Sequence, residues 1–552
     1  MASKFDSNST SSTIASHLLE NIKIPNINDI RGNITLPTTL ESCPGVIIDW
    51  KSSDPTIVSD IAEGKIAAGR VTRPPIGASP AIVTLTASIR LPTTTLTREF
   101  ILTIRPSVKL AQFSRYGMTN FARSNSTTGQ QVYFATSVAN DPTSFVATNE
   151  GRPVLTSKYG MHGLRDPSIV RSPEGDKFYL VATDLNVDGT EYGWQGWDWG
   201  QSGCSRFIEV WESFDLRTWS NQRHIQVSPP EVGMTYAPEA IWDPEIGAYV
   251  VYWTSSMYPA DSYFTPDKGD PKGRWPLTRN QTLFATTRDF VTFSQAGVMS
   301  GREGHGTLDA VIIRDDEDGF YYRFVCDRIS TGVGVTKYAP CPTEDIYQER
   351  AMSILSKEED WQLVAAGITH EAMKTTYAEA PLVFKANQGD PRGKGYYFFS
   401  DQIWEGAPAG KPMEEQLQPY WTNSLASGKW TPISWTRKPE YAEALGVIRH
   451  GTIFNLTCSE HAALRGATLS SVSVRPPDKT HYTVGDVIEL KGLLVLATYS
   501  DDITDEIYEG YGGYSLSGLE HTSSPGKHAI TVSYAVLGDV KSGFFDLEIE
   551  KK

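Results

Sequence analysis

Residues 162–186 read HGLRDPSIVRSPEGDKFYLVATDLN. An acidic residue, Asp166, opens a short apolar run, which passes through a Pro/Gly/Asp turn into an aromatic and aliphatic strand. The same grammar returns at residues 306–325, GTLDAVIIRDDEDGFYYRFV, and at residues 377–400, where YAEAPLVFK leads through a Gly/Pro turn to GYYFFS. Short runs rich in β-branched and aromatic residues, bounded by turn formers, are strands. Working outward, five units of this kind follow one another. They are QQVYFATSVANDPTSF; DKFYLVATDLN with FIEVWESFDLRTWS; GAYVVYWTSS with TLFATTRDFVTFS; GFYYRFVCDR with EEDWQLV; and GYYFFSDQ with YWTNSLASGKW. Each holds an aromatic strand, a second strand, a polar turn and a closing aromatic: Phe145, Trp219, Phe293, Trp361 and Trp430. All-strand repeats of this length predict the blades of a propeller. A large irregular β-sandwich is the alternative, but the regular recurrence of spacing and closing ring favours five blades.

A carboxylate at the start of such a strand lies near the axis once the repeats close into a ring. Asp166, Asp309 and Glu379 are then candidates to face one pocket. Three acids so placed can divide the work of glycoside hydrolysis: one activates water, one donates a proton, one tunes the donor. Taken singly, an Asp before Pro is also a common turn former.

The flanks differ from the centre. Residues 1–20 are polar and expected to fray. Residues 21–105 alternate with period two, as in TLTREFILTI, and predict a small β-sandwich. Its W-x-S-S-x-P at Trp50–Pro55 and G-K-I at Gly64–Ile66 resemble a bacterial immunoglobulin-like domain. Residues 466–552, with Y-x-x-G-D from Tyr482 and G-L-L-V-L-A-T-Y-S-D from Gly492, resemble another. The expected fold is therefore all-β: a five-bladed propeller over 106–460 between two immunoglobulin-like sandwiches.

At 552 residues the chain requires several domains. A net charge of −15 disfavours nucleic acid as a partner but raises no objection to a neutral glycan. No apolar stretch suits a bilayer span, so no membrane partner is expected, and the oligomeric state is left open. The first residues lack the apolar core of a secretory signal, so secretion would require a signal already removed. The five cysteines, Cys43, Cys204, Cys326, Cys341 and Cys458, have no metal-type spacing. Cys326 and Cys341 either pair or remain buried thiols. Glycosylation sequons fall at Asn8, Asn33, Asn125, Asn280 and Asn455.

Four motifs occur in order along successive blades: R-D-P-S-I at Arg165, Y-A-P-E-A at Tyr236, L-D-A-V-I at Leu308 and A-E-A-P-L at Ala378. In that order they resemble glycoside hydrolase family 43, over about residues 106–460. The resemblance implies that Asp166 is the general base, Asp309 the aspartate that orients the acid, and Glu379 the general acid. The family usually writes E-G-P where this chain has E-A-P, so the methyl of Ala380 would narrow the pocket floor. Glu239 is the rival acid, ranked second as a substrate contact. An inverting reaction would follow, with the carboxyls about 6.5–9.5 Å apart. His450, in VIRHGTIF, matches an axial histidine often found beside calcium or another cation; no organic cofactor is implied. Arg165 and Trp253, beside the motifs, and His305, four residues before Asp309, are candidate substrate contacts. Trp194 and Trp197, in EYGWQGWDWGQSG, are candidate stacking platforms for a sugar ring.

The implied activity is release of a terminal pentose, α-L-arabinofuranosyl before β-D-xylosyl, from an arabinose- or xylose-containing plant cell-wall glycan. An exo-galactanase and a non-catalytic glycan-binding propeller are the alternatives. A related fructan-processing propeller would write W-M-N-D-P-N where this chain has H-G-L-R-D-P-S.

Overall fold

The computed structural model describes residues 15–39, 45–91, 94–124, 130–187, 196–258, 280–300, 306–328, 345–375, 377–403, 416–441 and 444–552. Five four-stranded antiparallel sheets form the centre. Blade II comprises Leu164–Arg171, Phe178–Asp184, Phe207–Ser213 and Arg223–Gln226; blade III comprises Tyr236–Asp243, Ala248–Ser256, Asn280–Thr287 and Gly297–Ser300. Blade IV comprises Gly306–Arg314, Tyr321–Arg328, Ile346–Ala351 and Gln362–Ala365; blade V comprises Tyr377–Lys385, Tyr396–Ile403, Gln416–Thr422 and Thr431–Pro432. Blade I is assembled from both ends of the domain. Its inner strand, Ala444–Leu456, pairs with Arg115–Ser124, followed by Val132–Ser137 and Phe145–Ala147. This pairing closes the ring and leaves each blade only short, protected edges. It needs a backbone contact that only glycine permits, since a Cβ on Gly451 would sit 1.9 Å from the Thr119 carbonyl oxygen.

What holds the ring is five apolar cores, one between each pair of neighbouring blades. The closing aromatics explain themselves here, because each packs against the preceding blade in a different core. Phe145 lies between blades I and V, Trp219 between II and I, Phe293 between III and II, Trp361 between IV and III, and Trp430 between V and IV. The middle strands are buried on both faces, which is why AYVVYWTSS shows no polar alternation.

The five inner strands share one irregularity. Register breaks between Arg165 and Ser168, Tyr236 and Glu239, Leu308 and Val311, Glu379 and Leu382, and Ile448 and Gly451. In four of them the bulge holds a left-handed residue: Asp166, Ala237, Asp309 and Ala380, with φ between 47° and 58°. β-Bulges redirect side chains and are frequent beside active sites.

The N-terminal domain has a three-stranded sheet, Ile48–Ser52, Ala81–Arg90 and Thr95–Ile104. Residues 15–21 form a helix whose Ala15, Leu18 and Leu19 are buried in that domain's core. The expectation of a frayed leader through residue 20 is thus corrected for 15–20: its apolar residues follow a helical spacing and have a core to enter. The C-terminal domain is a sandwich of a three-stranded and a four-stranded sheet around Tyr482, Val495, Tyr499, Val532 and Leu547.

Both end domains are docked by buried charge. Arg288 of blade III donates to the carbonyls of Ile34, Ala67 and Ala68 at 2.9, 3.0 and 2.6 Å. Arg73 grips Asp176 through two bonds of 3.0 and 2.8 Å. On the other side Arg115 meets the fully buried Asp505 at 2.8 Å. One of these docks uses a sequon asparagine: Asn33 donates to the Gly247 carbonyl, whereas Asn455 donates to that of Lys385 between blades I and V. Asn280 is wholly buried. A glycan on any of the three would break native packing, so they do not mark glycosylation; Asn8 and Asn125 lie outside the described residues. Among the described residues no helix is long and apolar enough to cross a membrane.

Candidate active site

At the axis, a cavity of about 280 Å³ receives side chains from all five inner strands. Arg165 and Asp166 come from blade II, Tyr236 from III, Leu308 and Asp309 from IV, Tyr377, Glu379 and Ala380 from V, and Arg449 and His450 from I. Leu185 and Gln201 complete one wall and Asp401 another. Gln201 belongs to a short helix, Trp197–Ser202, fixed by Tyr236, whose hydroxyl donates to the Gly200 carbonyl at 2.5 Å.

Asp166 and Asp309 occupy the same place in the repeat, the left-handed bulge position, which Asp tolerates better than most residues. Each bulge is also tied to its neighbour. Thr183 Oγ1 donates to Asp166 Oδ2 at 3.0 Å and accepts from the Ala237 N–H at 2.8 Å. One blade on, Thr254 Oγ1 accepts from the Asp309 N–H at 3.0 Å. Glu379 does not sit at the equivalent position; Ala380 does, and Glu379 precedes it by one residue. The longer side chain reaches the cavity from that offset.

Two consecutive residues of blade I hold the carboxylates apart. Arg449 forms an ion pair with Glu379 Oε1 at 3.0 Å and, through Nε, with Asp401 Oδ2 at 2.7 Å. His450 Nδ1 lies 3.3 Å from Asp166 Oδ1. Tyr377 donates its hydroxyl to Glu379 Oε2. Arg449 and Asp401 thus brace Glu379 while His450 braces Asp166.

Burial alone would raise the Asp166 carboxyl, but the bond and charge of His450, with Arg165 and Thr183, hold it below the ordinary value of 3.8. For His450 burial works against the proton, yet Asp166, with Asp309 and Glu239 beyond, lifts it to about 9. The pair is an imidazolium–carboxylate at neutral pH. Asp166 therefore stays ionised and able to accept a proton, as a base requires. Glu239 lies outside the cavity lining. It is buried, accepts from Ser168 Oγ at 2.5 Å and is pushed up to about 7 by that burial.

A family model described as "Probable glycosyl hydrolase domain", related to glycoside hydrolase family 43, matches residues 111–462. The chain belongs to this family. Flanking this family-43-related domain, residues 16–107 match an atrophied bacterial immunoglobulin domain and residues 475–546 a bacterial immunoglobulin-like domain of group 3. An α-L-arabinofuranosidase of Bifidobacterium longum subsp. longum is 31% identical over 446 residues, 74% of this chain. The chain spans only 39% of that relative's length. Similar solved structures include a thermostable family-43 glycoside hydrolase, 16% identical, covering 72% of this chain and 95% of its own, with a TM-score of 0.33. An exo-β-1,3-galactanase from Clostridium thermocellum is 12% identical, covering 72% and 63%, with a TM-score of 0.30.

Within the family-43-related domain, the structure gathers Asp166, Asp309, Glu379, Arg165 and His450 at one cavity. It does not bring Trp253 there. That ring is 1% exposed in the core between blades II and III, because its strand is covered on both faces. Trp253 is corrected from substrate contact to packing residue. Glu239 is likewise withdrawn beneath the floor, where Ser168 holds it. Trp194 and His305 lie outside the described residues, as does the side chain of Trp197, which opens the short helix. Cys341 is also outside them. The sequence reading missed Arg449, Asp401, Tyr377, Tyr236, Leu185 and Gln201. Arg449 and Tyr377 stand inside motifs already quoted for their neighbours; nothing in the letters marks Asp401, 48 residues from its arginine.

A cation at His450 does not fit this donor set. Among the described residues no three His, Cys, Asp or Glu ligand atoms gather around that ring. Calcium takes about six to eight oxygens, and no protein cage of that kind surrounds His450.

Ala380, where the family favours glycine, has φ 58° and is 2% exposed. Left-handed backbone costs a residue with a Cβ about 1–2 kcal/mol. Ala380→Gly relieves that cost, but loses ~0.8 kcal/mol of methyl burial and ~0.4–1 kcal/mol through the freer unfolded chain. The substitution is expected to fall within about 1 kcal/mol of neutral in urea unfolding, where a buried alanine in ordinary backbone would lose clearly more.

Proposed function

We propose that the chain is an exo-acting, inverting glycoside hydrolase that releases terminal α-L-arabinofuranosyl residues from plant cell-wall polysaccharides or their oligosaccharides. The observation that carries this reading is the convergence of Asp166, Asp309 and Glu379 on one small axial cavity. Asp166, kept ionised by His450, takes the proton of a water as that water attacks the anomeric carbon. Glu379 delivers a proton to the departing oxygen on the opposite face. Asp309 orients the acid and supplies negative charge as the sugar becomes oxocarbenium-like. The bond from anomeric carbon to leaving oxygen breaks as the bond from water oxygen forms, so the product anomer is inverted. A cavity of about 280 Å³ on the axis suits one terminal sugar. The arabinofuranosidase among the relatives supports the choice of sugar. A wall polymer as substrate places the enzyme outside the cell.

Asp309→Asn should cost more in rate than in folding. A rate loss of about 10²-fold, with the alkaline limb of the kcat/KM profile displaced and the unfolding midpoint nearly kept, is the expected result. The whole proposal is tested by offering aryl α-L-arabinofuranosides, β-D-xylosides and β-D-galactosides and following the first anomer released by proton NMR. Release of xylose or galactose alone would replace the sugar; release with retained configuration would replace the mechanism.

A further inference from the structure

Behind the cavity wall, the outer part of blade II buries a second group of ionisable side chains. Asp184 ends the strand whose next residue, Leu185, lines the cavity; Glu209 and His224 lie on the two strands beyond. One ligand atom from each falls within 4.8 Å of the other two. Asp184 and Glu209 are 1% and 0% exposed, while the His224 side chain keeps 23% exposure and opens the group to solvent.

We propose that Asp184, Glu209 and His224 bind one divalent transition-metal ion, of the zinc or manganese class, at a structural site separate from the axial cavity. Three features support it. The first is charge. Three buried carboxylates elsewhere meet a guanidinium, in Arg323–Glu349, Arg115–Asp505 and Arg449–Asp401. Among the described residues no lysine or arginine forms an ion pair with Asp184 or Glu209; the imidazole of His224, bonded to Glu209, is the one basic side chain in the group. Burial of two carboxylates against a single imidazole leaves negative charge that a dication neutralises.

The second is the way the outer oxygens are held. Asp184 Oδ1 accepts from the Met161 N–H at 2.7 Å, and Glu209 Oε2 accepts from Gln222 Nε2 at 2.6 Å. Glu209 Oε1 meets His224 Nδ1. The His224 ring is stacked on Phe207 at 4.0 Å and faces Tyr159 at 5.8 Å, which fixes its plane. Outer partners that orient ligands in this way are the usual accompaniment of a metal site.

The third is close main-chain packing on Asp184: a Cβ on Gly160 would sit 2.0 Å from Asp184 Oδ2, so only glycine lets the loop lie directly against that carboxylate. One imidazole and two carboxylates suit a borderline dication better than calcium, which prefers oxygen throughout. Small side-chain adjustments bring all three donors to ~2.0–2.2 Å from one ion.

An ion here would fasten the loop that feeds the inner strand of blade II. Asp184 already holds Met161, and Gln222 holds Ser157 Oγ at 3.0 Å and the Lys158 N–H at 2.8 Å. Four residues after Met161 come Arg165 and Asp166. The ion would steady the approach to the cavity without entering it.

The test uses the full chain, stripped with EDTA, then titrated with zinc chloride and separately with manganese chloride. Bound metal is read by elemental analysis after dialysis, and the thermal midpoint is followed in parallel. One ion per chain, with a higher midpoint that EDTA reverses, is expected. Asp184→Asn and His224→Gln should each weaken binding at least ~10-fold and abolish the midpoint shift. His224 is partly exposed, so its variant remains informative if Asp184→Asn fails to fold. Absence of stoichiometric binding by the wild-type chain, or binding unchanged in His224→Gln, would overturn the site.

Discussion

Asp166→Asn is expected to lose turnover by roughly 10³–10⁴-fold while the chain remains folded. Asparagine keeps an oxygen for Thr183 and fills the same space at the bulge, so the backbone has no reason to move. What is lost is the carboxylate that His450 holds ionised and ready to accept a proton from water. The stability cost is bounded at about 1.5–3 kcal/mol, the value of a hydrogen bond to a charged partner, because His450 can shed its proton when its counter-ion is gone. The pH dependence carries the same physics. His450 is raised from 6.5 to about 9, so the pair's contribution is complete below about pH 6.5 and is lost as pH rises through about 9. Asp166 is lowered from 3.8, so the contribution also fades as pH falls below 3.8. Urea midpoints of wild type and Asp166→Asn should therefore differ most between about pH 4 and 6.5 and converge above pH 9. A constant difference across that range would show that the two groups do not form an ion pair.

The propeller was legible because each blade writes its own aromatic strand and its own closing ring. A core between blades needs one large side chain at a fixed point, so Trp219, Trp361 and Trp430 recur where packing demands them. The one-residue offset of Glu379 was not legible. It depends on where each inner strand bulges, and the bulge is fixed by the threonines of the neighbouring strand and by the turn toward the axis. D-P, A-P and D-A look alike as letters, yet only the left-handed residue in each defines the equivalence.

Trp253 shows a second limit. Next to a motif, a tryptophan reads as a platform for sugar; in a middle strand of a propeller both faces are covered, so the ring is spent on packing. Residues 15–21 show the converse. Their apolar letters keep helical spacing, but a run of Ser, Thr and Asn before them made the whole start look unstructured. Arg449 and Asp401 could not be paired from sequence, since they meet only when the last inner strand returns to close the ring.

Glu379→Gln should separate substrates by their leaving group, and that is the sharpest test of which carboxyl is the acid. A sugar or alkyl oxygen leaves only if it is protonated, so turnover on arabino-oligosaccharides should fall about 10³–10⁴-fold. An activated aryl glycoside, whose phenolate leaves unaided, should retain far more of its rate. Removing the base instead depresses both substrates alike. Glu239→Gln provides the contrast. Glu239 is buried, lies outside the cavity lining and is bonded to Ser168, and burial already pushes it to about 7. A neutral amide of the same shape replaces it at small expense, so most turnover and the same leaving-group dependence should survive. A protonated Glu239 is chemically able to be an acid; what excludes it here is reach. The departing oxygen must lie within about 3 Å of the donor, and the carboxyl that reaches the cavity from beside the inner-strand bulge of blade V is Glu379, braced by Arg449 and Tyr377. If leaving-group sensitivity appeared in Glu239→Gln and not in Glu379→Gln, the brace would have to open on substrate binding and the floor of blade III would be the acid.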